Sequence, residues 1–305
     1  MLFLLNATPW KIVLSSSFII MLLGIDLARQ FAITQRAHLN RYDPTKDLET
    51  ARCVQDALLE IDTPELENVS IAKRCIPAKN LGGDFYTFVN KTVKTLSQKA
   101  KTPGVLEYNK KQENLLGIVV GDVAGHGVSS ALVMALASGI LGRIGYNNHS
   151  PALILEKANN DIQRFIQNSQ ISHVTAFYCS LNIDNYNLTY SNAGHPPAIV
   201  LHDDDSYEKI STDGIFMGMY KKESFEEKEY QCKKNDRIFI FTDGIVETIN
   251  NERVPFGSKR LINLAIKHKN KNANELLDII YDKLEDFQGI YEQKDDQTLI
   301  IIDIA

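Results

Sequence analysis

Cysteine, basic charge and several catalytic signatures are what this 305-residue chain has little of. Its four cysteines, Cys53, Cys75, Cys179 and Cys232, stand far apart with no C-x-x-C pair and no zinc-type spacing. That excludes a disulfide scaffold and a structural zinc site, and leads us to expect core thiols in a reducing compartment. Lys and Arg number 33 against 38 Asp and Glu, a net charge of -5, so the electrostatic footprint of a nucleic-acid-binding protein is missing. With 9 prolines, 17 glycines and 44% hydrophobic residues, collagen-like and low-complexity classes fall away as well. No G-x-x-x-x-G-K-[ST] occurs, which rules out a P-loop enzyme, and without G-x-S-x-G or H-E-x-x-H the serine-hydrolase and zincin readings lack their key residues.

What is present begins with an apolar amino terminus. From Leu2 to Ile25 the only charge is Lys11, and residues 12–25 are apolar or small throughout. The run is short for a span of about 20 residues, so a single-span membrane anchor and a buried or partner-binding helix both remain open. Arg29, Arg36, Arg41 and Lys46 follow it, which would place the rest of an anchored chain in the cytoplasm. Residues 26–61 read as a helical linker, with Leu48, Ala51, Val54 and Leu58 at helical spacing and a restart at Asp43-Pro44-Thr45. It is expected to pack on the following domain, or to act as a dimerising link between two copies of the chain.

From Val69 onward the pattern turns to short β-type runs, at 70–76, 85–89, 115–120, 174–183, 188–191, 198–202, 237–241 and 298–304. Helical segments are expected at 129–144 and 151–167, with two more within 258–287. Successive strands with short connections pair antiparallel, which predicts an α+β protein of antiparallel sheets with helices on their outer faces. The polar stretch 91–114 is expected to be a long surface loop.

Aspartates recur where these runs meet glycine: Gly82-Gly83-Asp84, Gly121-Asp122 and Thr242-Asp243-Gly244, with Asp295-Asp296 opening the last strand. One such Asp is an ordinary turn residue. Four at the ends of strongly apolar strands would converge, and a bound cation is the usual remedy for the repulsion. An all-oxygen set suits Mg²⁺ or Mn²⁺, and two such ions can prepare a water for attack on phosphorus.

In order along the chain, Gly82-Gly83-Asp84-Phe85-Tyr86, Gly121-Asp122-Val123-Ala124-Gly125-His126-Gly127, Asn192-Ala193-Gly194-His195-Pro196-Pro197, Thr242-Asp243-Gly244-Ile245-Val246-Glu247 and Asp295-Asp296-Gln297-Thr298 closely resemble the motifs of bacterial SpoIIE/RsbU-type phosphatases of the metal-dependent PP2C superfamily. The resemblance runs from about residue 50 to the carboxyl end. It implies a PP2C-like αββα sandwich over residues 62–305, after the apolar helix 1–25 and the linker 26–61. It also implies a two-ion Mn²⁺ or Mg²⁺ centre and removal of phosphate from phosphoserine or phosphothreonine. The implied substrate is a STAS-domain anti-sigma-factor antagonist in a partner-switching pathway.

Carried over by position, Asp84, Asp122, Asp243 and Asp295 are the implied metal-ligating carboxylates, with Val123 contributing its backbone carbonyl and Asp296 orienting Asp295. His126, beside the metal loop, is a candidate acid for the leaving serine oxygen. His195 reads as a fixed turn residue, and Lys79 as a solvated loop lysine. The sequence departs from the family at Thr87, where members carry a second acid, which puts an outer metal contact in doubt. The alternative function is a non-catalytic phosphoprotein-binding module on a degenerate phosphatase fold.

Overall fold

A computed structural model of the chain describes residues 21, 23–34, 44–102 and 105–305. The chain divides into two compact units, Met1–Thr50 and Ala51–Ala305. In the first, residues 23–34 form helix α1, whose Leu27 and Phe31 are exposed. Apart from residues 21 and 23–25, the apolar run 12–25 lies outside the described residues. Helix α2 (Pro44–Leu59) begins on the proline that marked a restart, where a missing N–H costs nothing.

The larger unit has ten strands in two antiparallel sheets. Strands β1 (Val69–Ile76), β6 (Ala198–Leu201), β7 (Tyr207–Ile210), β9 (Arg237–Phe241) and β10 (Gln297–Ile304) form one, in the order β1-β10-β9-β6-β7. Strands β2 (Phe85–Thr102), β3 (Val105–Val123), β4 (Val174–Asn182), β5 (Asn187–Ala193) and β8 (Lys228–Gln231) form the other, in chain order. Helices α3 (Val128–Asn147) and α4 (Pro151–Ile166) cover the second sheet, and α6 (Gly257–Lys267) and α7 (Ala273–Gln288) cover the first. The result is the expected αββα sandwich.

The layering explains the apolar runs. On β10, Ile300 and Ile302 point into the core between the sheets while Leu299 and Ile301 face α6 and α7, so the strand is buried on both faces and shows no alternation. Each such side chain contributes about 1.5–3 kcal/mol on burial. Helix α3 is long and apolar enough to cross a membrane by length and composition, yet Met134, Ala137, Leu141 and Ile144 pack it on β2–β4. The later helices are fixed at their starts: Ser150 caps α4 by accepting from the Leu153 N–H at 3.2 Å, and Asn272 and Glu275 form a capping box on α7.

Two expectations fail. Residues 91–114 are not a loop. Beyond Leu115↔Asn182, where pairing of β3 with β4 stops, β2 and β3 continue as a ribbon from Thr92↔Asn114 to Thr102↔Val105. Residues 94–114 are mostly polar, so the period-2 apolar signal that marks a strand is missing there. The cysteines are not all core thiols either: Cys179 and Cys232 are buried, Cys75 is half-buried, and Cys53 is exposed on α2.

Candidate metal centre

Both sheets end their strands on the same side of the sandwich, and the aspartates lie there. Asp84 precedes β2, Asp122 and Val123 end β3, Asp243 opens the short helix α5 (Asp243–Glu247) after β9, and Asp295 and Asp296 precede β10. Close backbone approach draws the first two segments together: a Cβ on Gly83 would stand 2.6 Å from the Val123 carbonyl and 3.2 Å from Asp122 Oδ1. Only glycine fits there. The loop after Val123 turns through Gly125 and Gly127 at φ of 97° and 87°, a left-handed region that glycine enters without strain.

Buried Asp84 is held by both sheet-end threonines. Its Oδ2 accepts from Thr242 Oγ1 at 2.7 Å and Thr298 Oγ1 at 2.6 Å, while Thr242 Oγ1 accepts from the Thr298 N–H at 3.0 Å. That leaves Oδ1 as the oxygen free of these bonds. Asp296 works on backbone instead: its Oδ1 accepts from the Ala78 N–H at 2.7 Å and its Oδ2 from the Gly83 N–H at 2.6 Å. It therefore pins the 78–84 loop to β10. Asp295, exposed, accepts from the Asp296 N–H at 2.9 Å.

The electrostatics are those of like charges forced together. Burial, then the Asp122 charge, holds Asp84 well above the usual carboxylate range, with the two threonine hydroxyls opposing the shift. Burial pushes Asp122 up to about 7, reinforced by Asp243, Asp295 and Asp296. Asp243 is raised by burial and then by Glu247, and Asp295 by burial and then by Asp243, with His126 acting the other way. Perturbed carboxylates of this kind make the strand ends a candidate functional site.

The donor set fits a hard dication: it is all oxygen, in charge excess, with one Asp84 oxygen left free. It is not a preassembled cage, because among the described residues no three His, Cys, Asp or Glu side chains are grouped to hold an ion unaided. Magnesium suits such a site, since it keeps several of its waters.

At the rim, exposed His126 meets a residue the sequence reading set aside: Lys79 Nζ lies 3.0 Å from His126 Nε2. His195 is buried, its Nδ1 2.9 Å from Oγ1 of Thr175, the cross-strand neighbour of Asp122, and its main chain locked to the Asn192 side chain. Burial drives it down to about 3, so it stays neutral. Thr87 is packed against Gly142 of α3, at 3.7 Å from a Cβ built there, so an acid at this position would meet the helix first.

Residues 112–305 match the family Stage II sporulation protein E (SpoIIE). The chain belongs to the SpoIIE family. Over 260 residues it is 27% identical to phosphoserine phosphatase RsbU of Bacillus subtilis (strain 168), covering 84% of this chain and 69% of that protein. The SiaA-PP2C domain of Pseudomonas aeruginosa superposes with a TM-score of 0.66 at 20% identity, covering 86% of this chain and 97% of that domain. RsbX in complex with magnesium does so at 0.52 and 16% identity, covering 80% and 99%. The fold of this SpoIIE-family chain is thus that of a PP2C domain.

Proposed function

We propose that the chain is a metal-dependent protein serine/threonine phosphatase. The observation that carries this reading is that Asp84, Asp122, Asp243 and Asp295, brought to the strand ends from separate chain segments, are all raised by burial and by neighbouring acids. The phosphoserine phosphatase RsbU and the magnesium complex of RsbX support it. When bound, Mg²⁺ or Mn²⁺ held by these four carboxylates and the Val123 carbonyl supplies charge neutralisation for phosphoryl transfer, most of what that reaction demands.

The chain's own groups supply orientation and protons. Thr242 and Thr298 fix Asp84, and Asp296 fixes the loop that carries it. Lys79 and His126 stand 3.0 Å apart, where the Lys79 ammonium can draw the phosphate in and His126, as the imidazolium, can protonate the leaving serine oxygen. Burial, then the Asp84 charge, pushes the Cys75 thiol up, so it stays protonated and is a poor nucleophile. The reading we favour is direct attack of water on phosphorus, without a covalent enzyme intermediate.

We place the substrate among small regulatory phosphoproteins of the STAS type that act by partner switching, and residues 1–25 at the cytoplasmic membrane. Asp122→Asn should lower metal-dependent hydrolysis of p-nitrophenyl phosphate by roughly 10²–10³-fold or more, the scale of losing one preorganised electrostatic group, with the fold intact. Full retained activity would overturn the assignment. A degenerate binding module would hydrolyse neither this ester nor a phosphoserine protein.

A further inference from the structure

Beside α5 runs a mainly apolar groove of about 560 Å³, walled by Pro196, Pro197, Phe241, Val246, Ile249 and Pro255, with the exposed Glu247 carboxylate also lining it. Pro196 and Pro197 follow His195, Phe241 ends β9, and Ile249 and Pro255 face each other as an isolated antiparallel bridge. At one rim Lys209 donates to Ser258 Oγ at 3.0 Å, so both polar groups there already have a partner. Proline walls offer no N–H, and Phe241, Val246 and Ile249 add only carbon surface. Glu247, exposed, can keep its carboxylate in water, which leaves the proline, Phe241, Val246 and Ile249 walls to receive an apolar side chain.

Its position ties it to the chemistry. Helix α5 is shared: Asp243, its first residue, belongs to the cluster, while Val246 lines the groove. At about 1.5 Å rise per residue the two are roughly 4.5 Å apart along the helix axis. An extended peptide advances about 3.3 Å per residue and turns alternate side chains the same way. With a phosphoserine at the cluster, a side chain two to four positions away reaches the groove.

We propose that this groove is a docking site for an apolar side chain of the phosphoprotein, two to four residues from its phosphoserine. The inference rests on the phosphatase reading and adds a substrate rule to it. A small ester has no neighbouring side chain to place in the groove, so its hydrolysis does not depend on that contact.

The test uses the full chain and fluorescein-labelled Gly/Ser nonapeptides with a central phosphoserine and one leucine scanned over every other position. Binding is read by fluorescence anisotropy, and p-nitrophenyl phosphate hydrolysis is followed in parallel. Leucine at one position two to four residues from the phosphoserine should tighten binding about tenfold, a fraction of what burying that side chain can yield. Ser258→Trp, which fills the groove from α6, should erase the preference while leaving p-nitrophenyl phosphate hydrolysis within about twofold, since that ester lacks the docking contact. Pro197→Arg on the exposed opposite wall should do the same without touching α6.

No positional preference, or one that survives both substitutions, would overturn the proposal. So would concentration-dependent self-association, followed by sedimentation, that Ser258→Trp abolishes, since the groove would then belong to a second copy. Wild-type chain that shows the leucine preference yet hydrolyses nothing would remove the phosphatase reading and leave the groove standing.

Discussion

The two ends of one pair of strands treat charge in opposite ways. Where β9 begins and β10 finishes, Arg237 donates to Asp303 through Nε and, at 2.9 Å, through a second nitrogen, and to the Lys271 carbonyl at 2.8 Å. Next to it, His202 Nδ1 donates to buried Asp236 at 2.8 Å, and Asp236 Oδ2 also accepts from the Lys233 N–H at 2.7 Å. Where β9 finishes and β10 begins, Asp84, Asp122, Asp243 and Asp295 have no ion-pair partner among the described residues, and neighbouring acids add to the upward shift of each. A sequence that pairs its acids at one end of a strand can pair them at the other. Leaving them unpaired costs stability, and that cost is accepted at functional sites.

The comparison is broken most strongly by pH. Because burial and its neighbours lift Asp122 to about 7 from an ordinary value of about 3.9, the folded metal-free chain holds a proton that the unfolded chain has lost. Its stability should therefore fall as pH rises between about 4 and 7, by on the order of 3 kcal/mol from this group alone. Urea unfolding at stepped pH checks this. Asp122→Asn or added magnesium should flatten the slope, and a metal-free chain that instead gains stability from pH 5 to 7 would contradict the electrostatic account.

At the opposite end the loss comes from removing a cation. Arg237→Met strands Asp303 in a largely buried setting and should cost about 2–3 kcal/mol in urea unfolding while leaving hydrolysis unchanged. Joining it to Asp303→Leu should recover most of that. A smaller effect belongs to His202, raised first by its hydrogen bond to Asp236. Its contribution is full below the ordinary histidine value and is lost as pH rises through the raised one. His202→Gln should cost about 0.5–1 kcal/mol at pH 6 and less at pH 9, leaving the Asp122 window untouched.

The same contrast shows what residues disclose and what they withhold. Strands buried on both faces, such as β10, announce themselves by composition alone, and the glycine-aspartate junctions mark where they end. The four-residue strands β7 and β8 are mostly exposed and carry no usable period. The β2–β3 ribbon was equally silent in hydrophobicity, although its threonines and valines and the Pro103-Gly104 pair are strand and turn signals that outweigh polarity. In the cluster the aspartates were legible, whereas the threonine hydroxyls on Asp84, the loop clamp by Asp296 and the Lys79 contact to His126 depend on residues 47 to 214 positions apart. No local pattern encodes such pairings. The apolar groove is built from separate turns in the same way.

The central claim is that the aspartate cluster is incomplete without a cation, and calorimetric titration of Mn²⁺ into the full chain tests it most directly. At pH 6 the wild-type chain should bind Mn²⁺ with release of protons, because the raised carboxylates must ionise to ligate, and Asp122→Asn should lose most of that binding. Absence of Mn²⁺ and Mg²⁺ binding by the wild-type chain, or equal binding by Asp122→Asn, would contradict it.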